Sequence, residues 1–303
     1  MKGLADSNLS LGDKLFSYFG YLKNHIQFLK LYRKRYKNYI SIILHVLKNQ
    51  YPIKVTFHDG ESHKFYDYQQ LYNNLMEMDI HKDDDLAYIN GLKFHGGKTN
   101  GDIVSIFKKN EYSFLPVTDK EVLDIGANIG DSSIYFAKMG ARKVVGIEPD
   151  RISYGFAVKN VEENGYAKNV EIIMAGCGSQ DIINSDNELQ FMTLTTLIKK
   201  HCFKPDILKV DCEGCEYDFI LNACCNDLKK FTHIQIEYHH GYQNLKKKLE
   251  DCGFDVICTR PSFFIPLNKN RMTNRMTRLV IAGNSSTPNR MFIGWLYATA
   301  KNP

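Results

Sequence analysis

The sequence predicts an α/β fold: a mainly parallel sheet covered on both faces, preceded by a smaller helical and β-hairpin extension. Three observations carry that expectation. From residue 121 onward, short apolar runs alternate with segments of helical period. The links between them are short, which implies right-handed βαβ units. Before residue 115 the pattern differs, with a basic helical lead followed by small antiparallel pieces. The chain therefore divides into an extension over 1–115 and a larger α/β domain over 116–303.

Composition supports a folded protein. Of 303 residues, 44% are hydrophobic and 24% charged, which argues against disorder and leaves material for a sizeable core. The net charge of +5 conceals a split. Residues 14–54 hold nine Lys/Arg and no Asp/Glu, and residues 256–303 hold seven and none. Residues 55–255 are net acidic, at −10. An acidic body between two basic ends excludes a uniformly basic nucleic-acid binder.

In chain order, residues 15–47 space their apolar side chains mostly three or four apart, as one face of one or two helices. The opposite face carries Lys23, Lys30, Arg33, Lys34, Arg35, Lys37 and Lys48. Such a face suits an anionic membrane surface or a polyanion. A helix that packs its apolar side on the body and solvates its charges is the favoured reading. Residues 51–67 alternate around Asp59-Gly60, a hairpin signal, and 68–78 read as a short helix. In 86–109, LAYINGLKF and GDIVSIFKK read as two extended runs. Strands then follow at 121–126, 143–149, 169–177, 206–212, 233–239, 254–260 and 291–301. Helices are expected at 131–141, 151–165, 215–225 and 242–252.

The opening residues, MKGLADSNLSLGDK, lack the apolar run of a signal peptide. No uncharged apolar stretch reaches the roughly 18 residues that a membrane span needs. The expectation is a cytoplasmic protein whose eight cysteines are reduced thiols. Cys212 and Cys215 form a C-x-x-C without a compatible second pair for zinc, and read as small buried residues.

A parallel sheet binds ligands beyond the carboxyl ends of its strands, where strand order reverses. The first strand of the larger domain ends in Asp124-Ile-Gly126-Ala-Asn128-Ile-Gly130. Gly126 and Gly130 permit a tight turn and close backbone approach. Asn128 stands where a dinucleotide fingerprint needs its middle glycine, which counts against a pyrophosphate cofactor. Glu148 ends the second strand, 22 residues after Gly126. That is the place for a carboxylate that accepts hydrogen bonds from a ribose. Together these features favour a nucleoside-bearing cofactor.

Five motifs in order make a specific resemblance: VLDIGANIGDSSIYFA, VVGIEPD, TTL at 195–197, LKVDCEGCEYDFI at 208–220 and IEYHH at 236–240. This set resembles the FkbM-type family of S-adenosylmethionine-dependent methyltransferases, from about residue 100 to the end. The resemblance implies a Rossmann-like class I methyltransferase sheet whose last strand is antiparallel. It also implies S-adenosyl-L-methionine as cofactor, held by Asp124 at its ammonium, directly or through water, and by Gly126, Asn128 and Gly130 at its methionine part. Glu148 would take the ribose, and Gly176, Cys177 and Asp181 would border the adenine. Asp211 and Glu213 would lie at the mouth near the methyl group.

The implied activity is O-methylation of a hydroxyl on a sugar, glycan or small metabolite. His239 is the candidate base, since imidazole titrates in the useful range, and Glu237 is its orienter or a substrate ligand. Asp211 completes the catalytic set. Glu213, Arg271 and Arg275 are the substrate candidates; the arginines lie in a Pro/Asn/Ser-containing insertion over 261–290 that suits an anionic acceptor. Asp211, Glu213 and His239 also make a three-donor set for a divalent cation, but the resemblance demands no metal and none is assigned. A nucleic-acid acceptor is disfavoured, because the Asn/Asp-Pro-Pro-Tyr/Phe element of base methylation is missing. The rival from another class is a non-catalytic cofactor-binding module that docks on membrane lipid or a polyanion through its basic helix.

Overall fold

Seven runs of mainly apolar residues between Glu121 and Ala300 assemble one sheet, and the pattern along each run decides which face it covers. The structure is a computed structural model. It describes residues 29–48, 50–76, 81–83, 86–97, 102–182, 189–201, 204–264 and 291–301. After helical residues 29–35, the extension contributes α1 (Tyr39–Leu47), β1 (Ile53–Thr56), β2 (Ser62–Phe65) and α2 (Tyr68–Met76). Then come β3 (His81–Asp83), β4 (Leu86–Ile89), β5 (Leu92–His95) and α3 (Asp102–Lys109). The alternating region runs β6 (Glu121–Ile125), α4 (Asp131–Lys138), β7 (Lys143–Ile147), α5 (Arg151–Glu163) and β8 (Val170–Ile173). It continues with β9 (Gly176–Cys177), β10 (Phe191–Met192), α6 (Leu194–Lys200), β11 (Ile207–Val210), α7 (Cys215–Asn222) and α8 (Cys225–Leu228). The last elements are β12 (His233–Tyr238), α9 (Gln243–Asp251), β13 (Phe254–Cys258), β14 (Ser262–Phe264) and β15 (Met291–Ala300).

The main sheet has the order β13-β15-β12-β11-β6-β7-β8, and β14 pairs with the beginning of β15. The pairs β6–β7, β7–β8, β6–β11 and β11–β12 are parallel, and β15 is antiparallel to both β12 and β13. This is the expected Rossmann-like sheet, mostly parallel with an antiparallel last strand. Successive strand residues point to opposite faces. Leu123, Ile125, Val145 and Ile147 accordingly enter one core with Leu208, Ile234 and Phe219. Val122 and Val144 enter the other, with Ile134 and Phe136.

That second core also takes Ala87, Phe94, Ile103, Phe107 and Tyr112 from before the alternating region. Residues 32–75 form a smaller core of their own, around Tyr36, Ile42, Val55 and Leu71. Within the described part of the basic lead, Tyr32, Tyr36 and Ile42 are buried, whereas Arg33, Lys34 and Lys37 are exposed. The apolar side of this lead thus packs on the hairpin of β1 and β2. No helix among the described residues is long and apolar enough to cross a membrane.

Two local expectations are corrected. LAYINGLKF is itself a hairpin, β4 and β5, turned at Asn90-Gly91, both at positive φ. Of the second run, residues 102–109 are helical rather than extended, because Ile103, Val104, Ile106 and Phe107 together make a helical stripe, and all four are buried.

The exposed edge of β5 is closed by side chains of α5. Asn164 accepts from the Lys93 amide at 2.9 Å and donates to the Lys93 carbonyl at 2.7 Å. Asn160 accepts from the His95 amide at 2.7 Å and donates to the carbonyls of His95 and Ile129 at 3.1 and 2.8 Å. The amides thus imitate a neighbouring strand and blunt the edge. Asn160 is fully buried, so Asn160→Ala is expected to lose about 2–3 kcal/mol, measured by urea denaturation, from the groups left unpaired.

Candidate functional site

Strand order reverses between β6 and β11, so their carboxyl ends open the crevice where such sheets bind ligands. Gly126, Asn128 and Gly130 all take positive φ, at 79°, 50° and 82°. A side chain at Gly126 would overlap the Asp211 carbonyl oxygen, so the two turns meet backbone to backbone. The Ile147 carbonyl fastens the start of the turn by accepting from the amides of Gly126 and Ala127 at 2.9 and 3.0 Å. Gly130 caps α4.

Asp124 lies in β6, just before the glycine turn. Its carboxylate is fully buried, with Lys209 Nζ 3.0 Å from Oδ1 and the hydroxyls of Ser132 and Ser133 donating to Oδ2 at 2.6 and 2.7 Å. Lys209 also donates to the Gly126 carbonyl at 2.8 Å. Asp124, expected at a cofactor ammonium directly or through water, is thus held within the protein by these partners. Asp124 and Lys209 form a buried strut beneath the turn.

Glu148 is fully buried and ties two turns together. Its Oε2 accepts from the Asn128 amide and its Oε1 from the Asp150 amide, both at 2.8 Å. Burial outweighs these bonds and raises its carboxyl to about 7. Each oxygen still has a second acceptor position for a ligand hydroxyl. Cys177 is buried within electrostatic reach of Glu148, and burial raises its thiol far above the usual range. A side chain at Gly176 would strike the Phe191 ring, so the bare backbone there is a packing requirement.

Asp181, expected beside the adenine, is exposed and also has a structural role. Its two oxygens accept from the Thr193 amide at 2.9 Å and the Thr196 hydroxyl at 2.6 Å, clamping the start of α6. Those hydrogen bonds lower its carboxyl. Thr195 of the same TTL motif donates to Asp227. The motif is a helix-anchoring device here.

The other half of the opening lies at the ends of β11 and β12. Their parallel register pairs Val210 with Ile236, which carries Asp211 to Glu237. His239 follows two residues later, and Asp211, Glu237 and His239 bring donor atoms within 4.8 Å of one another. Glu213, at φ 56°, stands at the rim with 46% of its side chain exposed, its Oε2 3.5 Å from His239 Nε2. Glu237 Oε2 lies 3.7 Å from the same nitrogen. Burial, and next the Asp211 carboxylate, push Glu237 well above the usual carboxylate range.

His239 is held from behind by a residue to which the sequence reading gave no role. Glu216, fully buried in the first turn of α7, accepts from His239 Nδ1 at 3.0 Å and from the His239 amide at 3.1 Å. Its other oxygen accepts from the Gly214 amide at 2.8 Å. The orienter of His239 is therefore Glu216, not Glu237. Burial alone would lower the imidazole, but Glu216, then Glu213 and Glu237, outweigh it and hold His239 protonated well above its ordinary range. With Nδ1 spent on Glu216, Nε2 is the ring nitrogen that faces Glu213 and Glu237. A glutamate following Gly214 on the core-facing side of a helix start was the available signal for Glu216.

The cysteines depart from the reduced state expected. Cys212 is bonded to Cys215, and Cys225 to Cys252, with Cα separations of 5.5 and 5.1 Å. The C-x-x-C turn after β11 and the packing of α8 beside the end of α9 bring these thiols together. Cys177, Cys224 and Cys258 are free among the described residues. Arg271 and Arg275 lie outside the described residues.

Residues 124–256 match the family model described as the methyltransferase FkbM domain. The expected resemblance is borne out over that segment. An uncharacterized protein, 158B, of Sulfolobus islandicus rod-shaped virus 1 is 28% identical over 133 residues, 44% of this chain and 69% of that protein. Among solved structures, a methyltransferase FkbM from Methylobacillus flagellatus is similar at 15% identity and TM-score 0.42, covering 76% of this chain and 58% of its own. A precorrin-6y C5,15-methyltransferase from Geobacter metallireducens is similar at 15% identity and TM-score 0.40, covering 72% and 95%. A putative RNA methyltransferase from Pyrococcus horikoshii gives 14% and 0.40, covering 66% and 84%.

Proposed function

We propose that residues 124–256, which match the FkbM methyltransferase domain, are the core of a methyltransferase, and that this chain transfers a methyl group from S-adenosyl-L-methionine to a hydroxyl of a sugar, glycan or small metabolite. The observation that carries the reading is the contact of two turns at the switch point. Gly126 abuts Asp211, so a ligand held on the glycine turn sits beside Asp211, Glu213, Glu237 and His239.

The residues present fit a cationic nucleoside. The turn through Gly126, Asn128 and Gly130 is tight enough to bring its backbone against the β11 turn, Glu148 keeps acceptor positions for ribose hydroxyls, and Gly176 and Cys177 border the next strand end. Among the described residues, no Lys or Arg comes within 4 Å of the side-chain oxygens of Asp211, Glu213 or Glu237. That acidic rim suits a sulfonium and opposes a phosphodiester acceptor. The cofactor supplies a methyl group already activated on sulfur, so the protein contributes chiefly positioning. A neutral hydroxyl is a poor nucleophile and gains from a proton acceptor, which the rim carboxylates provide. His239, pinned by Glu216, orients them. The division into an extension over 1–115 and a catalytic domain over 116–303 is part of this proposal, with residues 87–117 contributing to the catalytic domain's core.

Calorimetry with S-adenosylhomocysteine tests the reading. Binding is expected, with about 2.7 kcal/mol of stabilisation at 100 times Kd; no binding to the folded protein overturns it. Glu148 adds a pH signature. Its folded carboxyl is raised to about 7 from an ordinary 4.5, so the folded state holds the extra proton between those values. Stability of the cofactor-free protein should therefore be fullest below pH 4.5 as far as Glu148 is concerned, and fall as pH rises toward 7. Cofactor affinity should run the other way, weakening up to about tenfold per unit as pH drops below 7, because ribose hydroxyls favour the ionised form. Titrations at pH 6, 7 and 8 that give equal affinities remove Glu148 from the ribose site.

A further inference from the structure

We propose that Asp211, Glu237 and His239 bind a first-row divalent cation through one carboxylate oxygen each from Asp211 and Glu237 and through His239 Nε2. The sequence suggested a set with Glu213, yet the register of β11 against β12 brings Glu237 instead beside Asp211. An ion about 2.0–2.2 Å from each donor spans donor pairs about 3–4 Å apart. The three donors already lie within 4.8 Å of one another, so small side-chain rotations complete the set.

Two features separate this cluster from an ordinary acidic surface. His239 is 1% exposed, and its Nε2 points into the cluster at ion-pair distances of 3.5 and 3.7 Å, with its hydrogen bonding spent at Nδ1. Behind it, Glu216 accepts the Nδ1 proton and fixes the ring orientation; Nε2 releases its own proton to solvent as the ion binds, and its lone pair takes the ion. A carboxylate behind a histidine is the arrangement that orients and strengthens metal-bound imidazoles. The charge count agrees. Four carboxylates, Asp211, Glu213, Glu216 and Glu237, surround one imidazole; among the described residues no Lys or Arg lies within 4 Å of their oxygens, and Lys209, which feels Asp211, is itself paired with Asp124. An imidazole with two carboxylates favours manganese-, iron- or zinc-like ions over magnesium or calcium.

Three protein donors leave coordination positions open. The use of the site in catalysis rests on the methyltransferase reading. There, the acceptor hydroxyl occupies an open position and its proton passes to Glu213, which stands at the rim and is not a ligand. The oxygen lone pair then forms the O–C bond, the S–C bond breaks, and its electron pair returns to sulfur as the thioether.

Mn2+ titration of the EDTA-treated full chain, followed by electron paramagnetic resonance, tests the site. Manganese is chosen because its preference for O and N donors keeps the free cysteines out of the readout. The expected result is loss of the free six-line signal for about one ion per chain. The isosteric Glu237→Gln and Asp211→Asn should each weaken uptake at least tenfold, and Glu216→Gln, which touches no ion, 10–100-fold. His239→Ala should abolish uptake; if that variant is unfolded by circular dichroism, Glu237→Gln decides. A full free-ion signal at millimolar protein, or uptake unchanged in Glu237→Gln and Asp211→Asn, overturns the proposal. S-adenosylhomocysteine binding, measured in parallel, reports separately on the methyltransferase reading: binding without Mn2+ uptake removes only the metal, and uptake without binding removes only the cofactor.

Discussion

Lys209→Met should lower stability by about 3–5 kcal/mol, the usual cost of leaving one member of a buried ion pair alone. Lys209 stands on central strand β11 and is 1% exposed. Its ammonium serves Asp124 at 3.0 Å, the carbonyls of Gly126 and Ile125 at 2.8 and 3.3 Å, and the Tyr112 ring at 5.7 Å. Burial alone would lower its pKa, but Asp124 and then Asp211 reverse that and raise it, so the lysine stays charged at ordinary pH. Removing the ammonium leaves Asp124 with only the two serine hydroxyls. The double variant Asp124→Asn, Lys209→Met removes both charges and should recover most of the loss. Urea denaturation of wild type, single and double variants measures this. Equal losses in single and double variants would show that packing, not the unpaired charge, sets the cost.

Gly126→Ala should cost about 2–5 kcal/mol, combining the left-handed backbone penalty with overpacking, and should abolish S-adenosylhomocysteine binding. At φ 79° the backbone is one that only glycine adopts freely, and the new methyl would overlap the Asp211 carbonyl oxygen. Relief would require the β6 and β11 turns to separate at the point where the proposed cofactor lies. Gly155→Ala is the control. It sits exposed in α5 with open space around it, so it should be neutral or gain about 0.5–1 kcal/mol. Similar behaviour of the two alanine variants in thermal melts and calorimetry would contradict the geometry.

The legibility of the site followed the range of its interactions. Gly126 and Gly130 were readable because a turn after a strand is a local event. Asp124 and Asp181 were readable only as carboxylates at strand ends, and their partners could not be seen: Lys209 is 85 residues from Asp124, and Thr193 is 12 residues from Asp181. Glu216 was overlooked for the converse reason. Its sequence neighbours suggested an ordinary helix start, and its role arises from His239, just past the end of the next strand and 23 residues on. The helix over 102–109 was misread because a short apolar run suits either element, and burial on the α4 side decided it.

By itself the sequence determined the alternation of strands and helices, the parallel sense of the sheet and the position of the glycine turn. These depend on periodicity and on backbone conformations written into single residues. Only the tertiary structure decided which carboxylates are spent on the fold and which face the opening. That choice depends on register. A one-residue slip between β11 and β12 would part Asp211 from Glu237 and turn their side chains to opposite faces. The pairing of Val210 with Ile236 sets that register, and with it the chemistry of the site.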